Sequence, residues 1–219
     1  MLTGLWPSPV GGEELLLSFD EGRQRRLVVI PALFDEGNKL RHFTVEVMRR
    51  LHTTGIDSFL PDLPGTNESL APLVEQTVTG WRQYLSAAVD HSRATHMLAI
   101  RAGAVIDPGH LPSVHYAAAS GASQLRTLAR AQAIAEKEAG APVSREDLLV
   151  QAEAQGATLA GHDLGAQMVR ELLEAEAPIP TSSVAQGDLG SGGLWLRAEP
   201  AHDPGQADRL AAMVLERLA

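Results

Sequence analysis

The apolar positions fall into two alternating patterns. Continuous apolar runs, the mark of strands buried on both faces, occupy 26–33 (RLVVIPAL) and 95–100 (THMLAI). Residues 13–19 (EELLLSF), 57–63 (DSFLPDL) and 113–119 (SVHYAAA) read as further strands, with 13–19 the first of the chain. Between the strands, apolar residues recur at intervals of three and four. Leu40, Phe43, Val47, Met48 and Leu51 stripe one helix, which follows a loop at 34–38 and ends at Gly55. Val74, Val78, Trp81, Leu85 and Val89 stripe a second, long helix. Strands alternating with helices predict a mostly parallel sheet covered on both faces, an α/β three-layer sandwich.

The second half changes character. An Ala-rich helix at 122–139 carries Leu125, Leu128 and Ile134 on one side, and Pro142 breaks it. Ser144 reads as the cap of a further helix with Glu146 and Asp147 in its first turn. A short extended piece at 157–160 precedes a helix bearing Met168, Val169, Leu172 and Leu173. A Gly/Ser-rich stretch at 183–193 leads to a final strand at 194–198 (LWLRA), and Leu210, Met213, Val214 and Leu218 stripe the last helix. No repeat or linker interrupts the order, so one domain over 1–219 is expected, with 122–155 as a helical, lid-like insertion within it.

Composition narrows the chemistry. With 18 Lys and Arg against 27 Asp and Glu the net charge is -9, which disfavours nucleic acid and anionic membranes as partners. No apolar run approaches the roughly 18 residues of a membrane span, and no basic-then-apolar leader is visible. A cytoplasmic location is the expectation. Cysteine is absent, which removes disulfides, cysteine nucleophiles and thiolate metal sites. The eight histidines form no H-E-x-x-H or H-x-H arrangement, and no glycine-rich phosphate loop follows a strand. Neither a metal nor a cofactor is therefore expected.

The strand at 95–100 stops abruptly at Ala99-Ile100-Arg101-Ala102-Gly103. A nucleophilic serine inside G-x-S-x-G occupies such a strand-to-helix turn in one large enzyme class. Here the central residue is Arg101, which offers only donors and cannot be a nucleophile.

Four segments in the right order carry a family resemblance: VVIPALFDEGNKLRHF, SFLPDLPGTNES, GWRQYLSAAVD and LAGHDLGAQMVREL. Over roughly residues 26 to 218 the chain resembles the exosortase A system-associated hydrolases of the second type. The resemblance implies an α/β-hydrolase fold and an association with exosortase-linked exopolysaccharide export. It also implies that an arginine at the elbow is a family trait. Where that family continues into a helix of several turns, Val105-Ile106 runs into Asp107-Pro108-Gly109, so the helix is shortened or missing.

A serine hydrolase of this fold needs a nucleophile, an acid and a histidine in that chain order. Asp188 and His202 are the candidates for the last two, and Ser120, at a strand's carboxyl end, for a relocated nucleophile. Each has a plainer reading: Asp188 in a surface turn, His202 in an exposed loop, and Ser120 or Ser123 as a helix cap. Arg101 has two readings. It can pin the loop at 34–39, with Asp35, Glu36, Asn38 and Lys39, across the crevice, or it can grip a small anionic ligand with its planar fork. The expectation is a non-catalytic protein that binds an anion or a protein partner, with the helical insertion pairing two copies. The alternative is an atypical carboxylic ester hydrolase.

Overall fold

The computed structural model describes residues 1–9, 11–190 and 192–218. Ser191, within the Gly/Ser-rich stretch, lies outside the described residues. One seven-stranded sheet has the order β1-β2-β4-β3-β5-β6-β9. Its strands are β1 (Leu2–Pro7), β2 (Glu13–Phe19), β3 (Arg26–Ile30), β4 (Asp57–Pro61), β5 (His96–Ile100), β6 (Ser113–Tyr116) and β9 (Ser182–Val184). β1 and β2 run antiparallel to their neighbours and the other pairings are parallel. A hairpin of β7 (Ala157–Leu159) and β8 (His162–Leu164) stands apart from this sheet.

Each central strand feeds both faces, which is why it lacks polar alternation. Val28, Ile30, Met97 and Ala99 join Trp81 and Leu85 of α2 (Val78–Ser92), Leu125 and Leu128 of α3 (Gly121–Glu138), and Met168 and Leu172 of α5 (Ala166–Glu174). Leu27, Val29, Leu98 and Ile100 face Phe43 and Met48 of α1 (Asp35–Thr53) and Leu210 and Val214 of α6 (Pro204–Arg217). The crossover from β6 to β9 carries α3, α4 (Arg145–Gln155), the hairpin and α5.

Several expectations need correction. The chain opens on β1, a strand that Gly4 and Pro7 disguise; its Trp6 is buried and its Nε1 donates to the Tyr84 hydroxyl at 3.0 Å. Residues read as a loop before the first helix are its first turn, since α1 begins at Asp35 directly after Phe34. Val74 belongs to a separate 3-10 turn (Leu73–Glu75), and α2 starts after Thr77, whose hydroxyl accepts from the Gly80 amide. The segment 194–198 is no strand. Leu194–Leu196 is a 3-10 turn, and the last strand of the sheet is the three-residue β9 upstream of it. Trp195 folds inward onto Arg101 and Tyr116 instead of joining a ladder, whereas Ser182–Val184 finds a free edge on β6.

Candidate functional site

The carboxyl ends of β3, β5 and β6 meet at a tight knot of backbone. β5 ends at Ile100, and Arg101 follows with φ 55, a left-handed conformation that costs a side-chain-bearing residue about 1 kcal/mol. A six-residue 3-10 helix, Arg101–Ile106, stands where the sequence predicts a shortened or missing helix. Gly103 permits the turn: a Cβ there would stand 2.3 Å from the Pro31 carbonyl oxygen at the end of β3. Two neighbouring turns also hold non-glycine residues at positive φ, Phe34 (φ 55) before α1 and Ala117 (φ 46) after β6.

The Arg101 side chain closes this knot. Its Nε donates to Glu36 Oε2 at 3.0 Å and its Nη2 to Glu36 Oε1 at 3.2 Å, a two-point grip on the first turn of α1. Its Nη1 donates to the Ala117 carbonyl at 2.6 Å. The indole of Trp195 covers one face of the guanidinium, 3.9 Å from Cζ to ring centroid. The Arg101 carbonyl accepts from the Ala119 amide at 3.3 Å. Three elements, α1, β6 and the 194–196 turn, thus converge on one residue. Its partner is Glu36; Asp35, the other acidic candidate, faces Lys39 Nζ at 2.8 Å one helical turn on. Asn38 faces a cavity described below.

The three catalytic candidates make separate local contacts. The Ser120 hydroxyl caps α3, accepting from the Ser123 amide at 3.2 Å. Asp188 Oδ2 accepts from the Ala185 amide at 2.8 Å and closes its own 3-10 turn. His202 stacks on His42 of α1, with ring centroids 4.6 Å apart and planes 26° from parallel. Its Nδ1 is buried without a hydrogen-bond partner among the described residues. Among those residues no hydrogen bond joins any two of Ser120, Asp188 and His202.

Hydroxyl–imidazole contacts that sequence reasoning did not single out occur at two places among the described residues. Thr95 Oγ1 lies 2.8 Å from His96 Nδ1 at the amino end of β5, the edge away from the crevice. Ser113 Oγ lies 3.4 Å from His115 Nε2, and the same nitrogen lies 2.8 Å from Asp107 Oδ2. Ser113, His115 and Asp107 are all buried. A catalytic relay needs the hydroxyl and the carboxylate on opposite ring nitrogens. With both on Nε2, the imidazole cannot take a proton from one side while being oriented from the other. We read this trio as a satisfied polar cluster under β6.

A cavity of about 130 Å³ opens beside the knot, between the start of α1, the end of β4 and the β7–β8 hairpin. Asn38, Arg41 and Thr44 form its α1 wall; Leu33, Leu63 and Trp81 are among its apolar walls. Phe34 and His162 also line it, with ring centroids 5.4 Å apart. Burial pushes the His162 imidazole below its usual pKa, with Asp35 and Asp163 opposing that shift. Arg41 Nη1 donates to Asp62 Oδ1 at 2.7 Å, which also accepts from Asn67 Nδ2 at 3.0 Å. The site was not legible in the sequence, because its polar residues come from α1 and from the turn after β4. Among the described residues no group of three or more His, Asp or Glu is placed to hold a metal.

No family model matches the chain, and no curated protein matches it by sequence. Solved structures do. A putative hydrolase from Agrobacterium vitis superposes with a TM-score of 0.54 at 15% identity, over 100% of this chain and 99% of that one. The mouse α/β hydrolase domain-containing protein 10 gives 0.52 at 15% identity, over 80% of this chain and 70% of that one. Est1E from Butyrivibrio proteoclasticus with ferulic acid bound gives 0.50 at 15% identity, over 74% of this chain and 68% of that one. The chain has the α/β-hydrolase fold. Identities this low carry the architecture and leave the chemistry to the residues. In an α/β hydrolase that works through a serine, the nucleophile stands on the strained turn after a central strand. In this α/β-hydrolase fold the turn after β5 has that strain, and Arg101 stands on it. Among the described residues no helix is long and apolar enough to cross a membrane.

Proposed function

We propose that this chain is a non-catalytic protein of α/β-hydrolase fold, in which Arg101 takes the place of a nucleophilic serine and locks the former reaction centre shut. The observation that carries this reading is the closure of the guanidinium on Glu36 and the Ala117 carbonyl beneath Trp195. A fork already engaged by a carboxylate also leaves little for an anionic ligand, so of the two roles for Arg101 the pin is favoured over the anion receptor. The protein acts by binding, through the remaining cavity or its surface. The sequence resemblance described above supports a setting in exosortase-linked exopolysaccharide export, on the cytoplasmic side.

The test is direct. Purified protein is incubated with a serine-directed fluorophosphonate probe and with short acyl esters. The reading expects no labelling and no hydrolysis above that of the Arg101→Ala variant. Stoichiometric labelling, or turnover lost in Ser120→Ala or His202→Ala, would establish the relocated-nucleophile esterase instead.

The same reading includes self-association through α3 and α4. Ile134 and Val143 are exposed there and border one shallow recess with Ala133 and Pro142, and Val150 is exposed on α4; exposed apolar surface of this kind favours a partner. Light scattering at micromolar protein should give the mass of a dimer, and Ile134→Glu should return it to a monomer; a wild-type monomer at every concentration rejects the pairing.

A further inference from the structure

We infer that the cavity between α1, β4 and the β7–β8 hairpin is a binding site for a small uncharged amphiphile: one apolar ring or short branched chain bearing a single neutral hydrogen-bonding group, such as an amide or alcohol. The inference rests on the proposed non-catalytic reading and adds the class of ligand to it.

Size sets the first limit. At about 130 Å³ the space is close to the roughly 150 Å³ that accommodates benzene in an apolar core. Most small-molecule pockets are larger, so an extended chain or a disaccharide is excluded. The shape of the wall sets the second. Leu33, Phe34, Leu60, Leu63, Leu73 and Trp81 supply an apolar side for a ring. One helical face of α1 supplies the polar side through Asn38, Arg41 and Thr44, at spacings of three. Gly37, on that helix, has no room for a Cβ, which would stand 2.6 Å from the Ala32 carbonyl. The helix is therefore held close against the loop after β3, and its polar side chains border the cavity.

Charge decides between ligand classes. Arg41 is the one cationic side chain in the wall, and the buried Asp62 carboxylate already neutralises it at 2.7 Å. Asp62 is 1% exposed and, paired with Arg41, lies outside the cavity wall, so its charge is poorly screened and repels an incoming carboxylate through a low dielectric. An ammonium group would meet the guanidinium. A neutral group avoids both penalties and still finds partners. The Arg41 Nε and Nη2, and the side chains of Asn38 and Thr44, make no hydrogen bond among the described residues. Together they offer donors and acceptors, the complement of an amide, which brings one acceptor and two donors. His162, the wall's imidazole, is held toward its neutral form by burial.

The experiment is calorimetric titration of the full chain with four probes of one ring and different end groups: benzamide, benzyl alcohol, benzoate and benzylammonium. Benzamide should bind saturably in the low millimolar range or better, the affinity that a ligand of so few atoms can reach. It should bind at least tenfold more tightly than benzoate or benzylammonium. Asn38→Leu, which removes an unengaged amide without touching the core, should weaken benzamide at least tenfold. Leu73→Trp, which adds bulk to the apolar wall from a half-buried position, should abolish binding while thermal unfolding shows an intact fold. Saturable benzamide binding that both variants leave unchanged would overturn the inference. So would benzoate binding as tightly as benzamide, or none of the four binding. Each result is independent of fluorophosphonate labelling and ester turnover, so failure here leaves the non-catalytic reading standing, and labelling there leaves the ligand class to be judged by titration.

Discussion

Arg101 concentrates the energetics of the crevice in one side chain. Its pair with Glu36 is mostly shielded, with side-chain exposures of 16% and 8%, so removing either partner leaves a charge without its counterion in a poorly solvated place. Glu36→Gln is expected to cost about 2–3 kcal/mol, measured as a shift in urea midpoint at unchanged slope. Arg101→Ser places a hydroxyl on that turn and is expected to give no esterase activity, because no imidazole among the described residues bonds to that turn. Ser120→Ala should lower stability by about 1 kcal/mol, the value of a lost N-cap, with no other consequence. Loss of an activity in that variant without loss of stability would contradict its role as a cap. At this scale the sequence made Arg101 conspicuous, since an arginine at an apolar strand's end is chemically incongruous. It offered no way to choose between Asp35 and Glu36. The choice follows from α1 starting at Asp35, which turns the two neighbours about 100° apart around the helix axis, Glu36 toward Arg101 and Asp35 toward Lys39.

At the scale of elements, close backbone approaches hold the site together. Gly103 lies under the Pro31 carbonyl and Gly121 under the Leu172 carbonyl, each with 2.3 Å to an added Cβ. Gly103→Ala must separate the elbow from the end of β3, an overpacking expected to cost at least 1–3 kcal/mol. Gly187→Ala, where a Cβ meets nothing within 4 Å, should stay within about 0.5 kcal/mol. Equal midpoints for the two variants would show that the elbow is not tightly packed. The central strands and the helices with clean stripes were legible because burial on two faces, or on one, writes itself into the spacing of apolar residues. β1 was not legible: its edge position leaves most of its residues exposed, so LTGLWP carries no period. The misassigned segment at 194–198 failed for a related reason. Three apolar residues around a tryptophan suit a strand locally, but Trp195 gains more by covering Arg101 and meeting Tyr116 edge-on.

Across the whole molecule, pH and architecture act together. Burial lowers the pKa of His162, and burial aided by Arg25 lowers that of His96. In the unfolded chain both imidazoles take a proton near pH 6.5. The unfolded state therefore binds more protons than the folded state as pH falls through that value, and stability declines with it; the full contribution is present above it. The urea midpoint should fall between about pH 7.5 and 6, above the range where carboxylates titrate, and the double variant His96→Gln, His162→Gln should flatten that slope. An unchanged slope would show that neither imidazole is desolvated. The sequence by itself determined the layered α/β architecture, the order of its central elements and the absence of a nucleophile at the turn after β5, because each is a property of local spacing or of a single side chain's chemistry. Tertiary structure alone decided that Glu36 and Trp195 close over Arg101, that Ser120, Asp188 and His202 make separate local contacts, and that a small cavity lies beside them. Those facts depend on which residues distant in the chain are brought within a few ångströms, and apolar periodicity does not encode that.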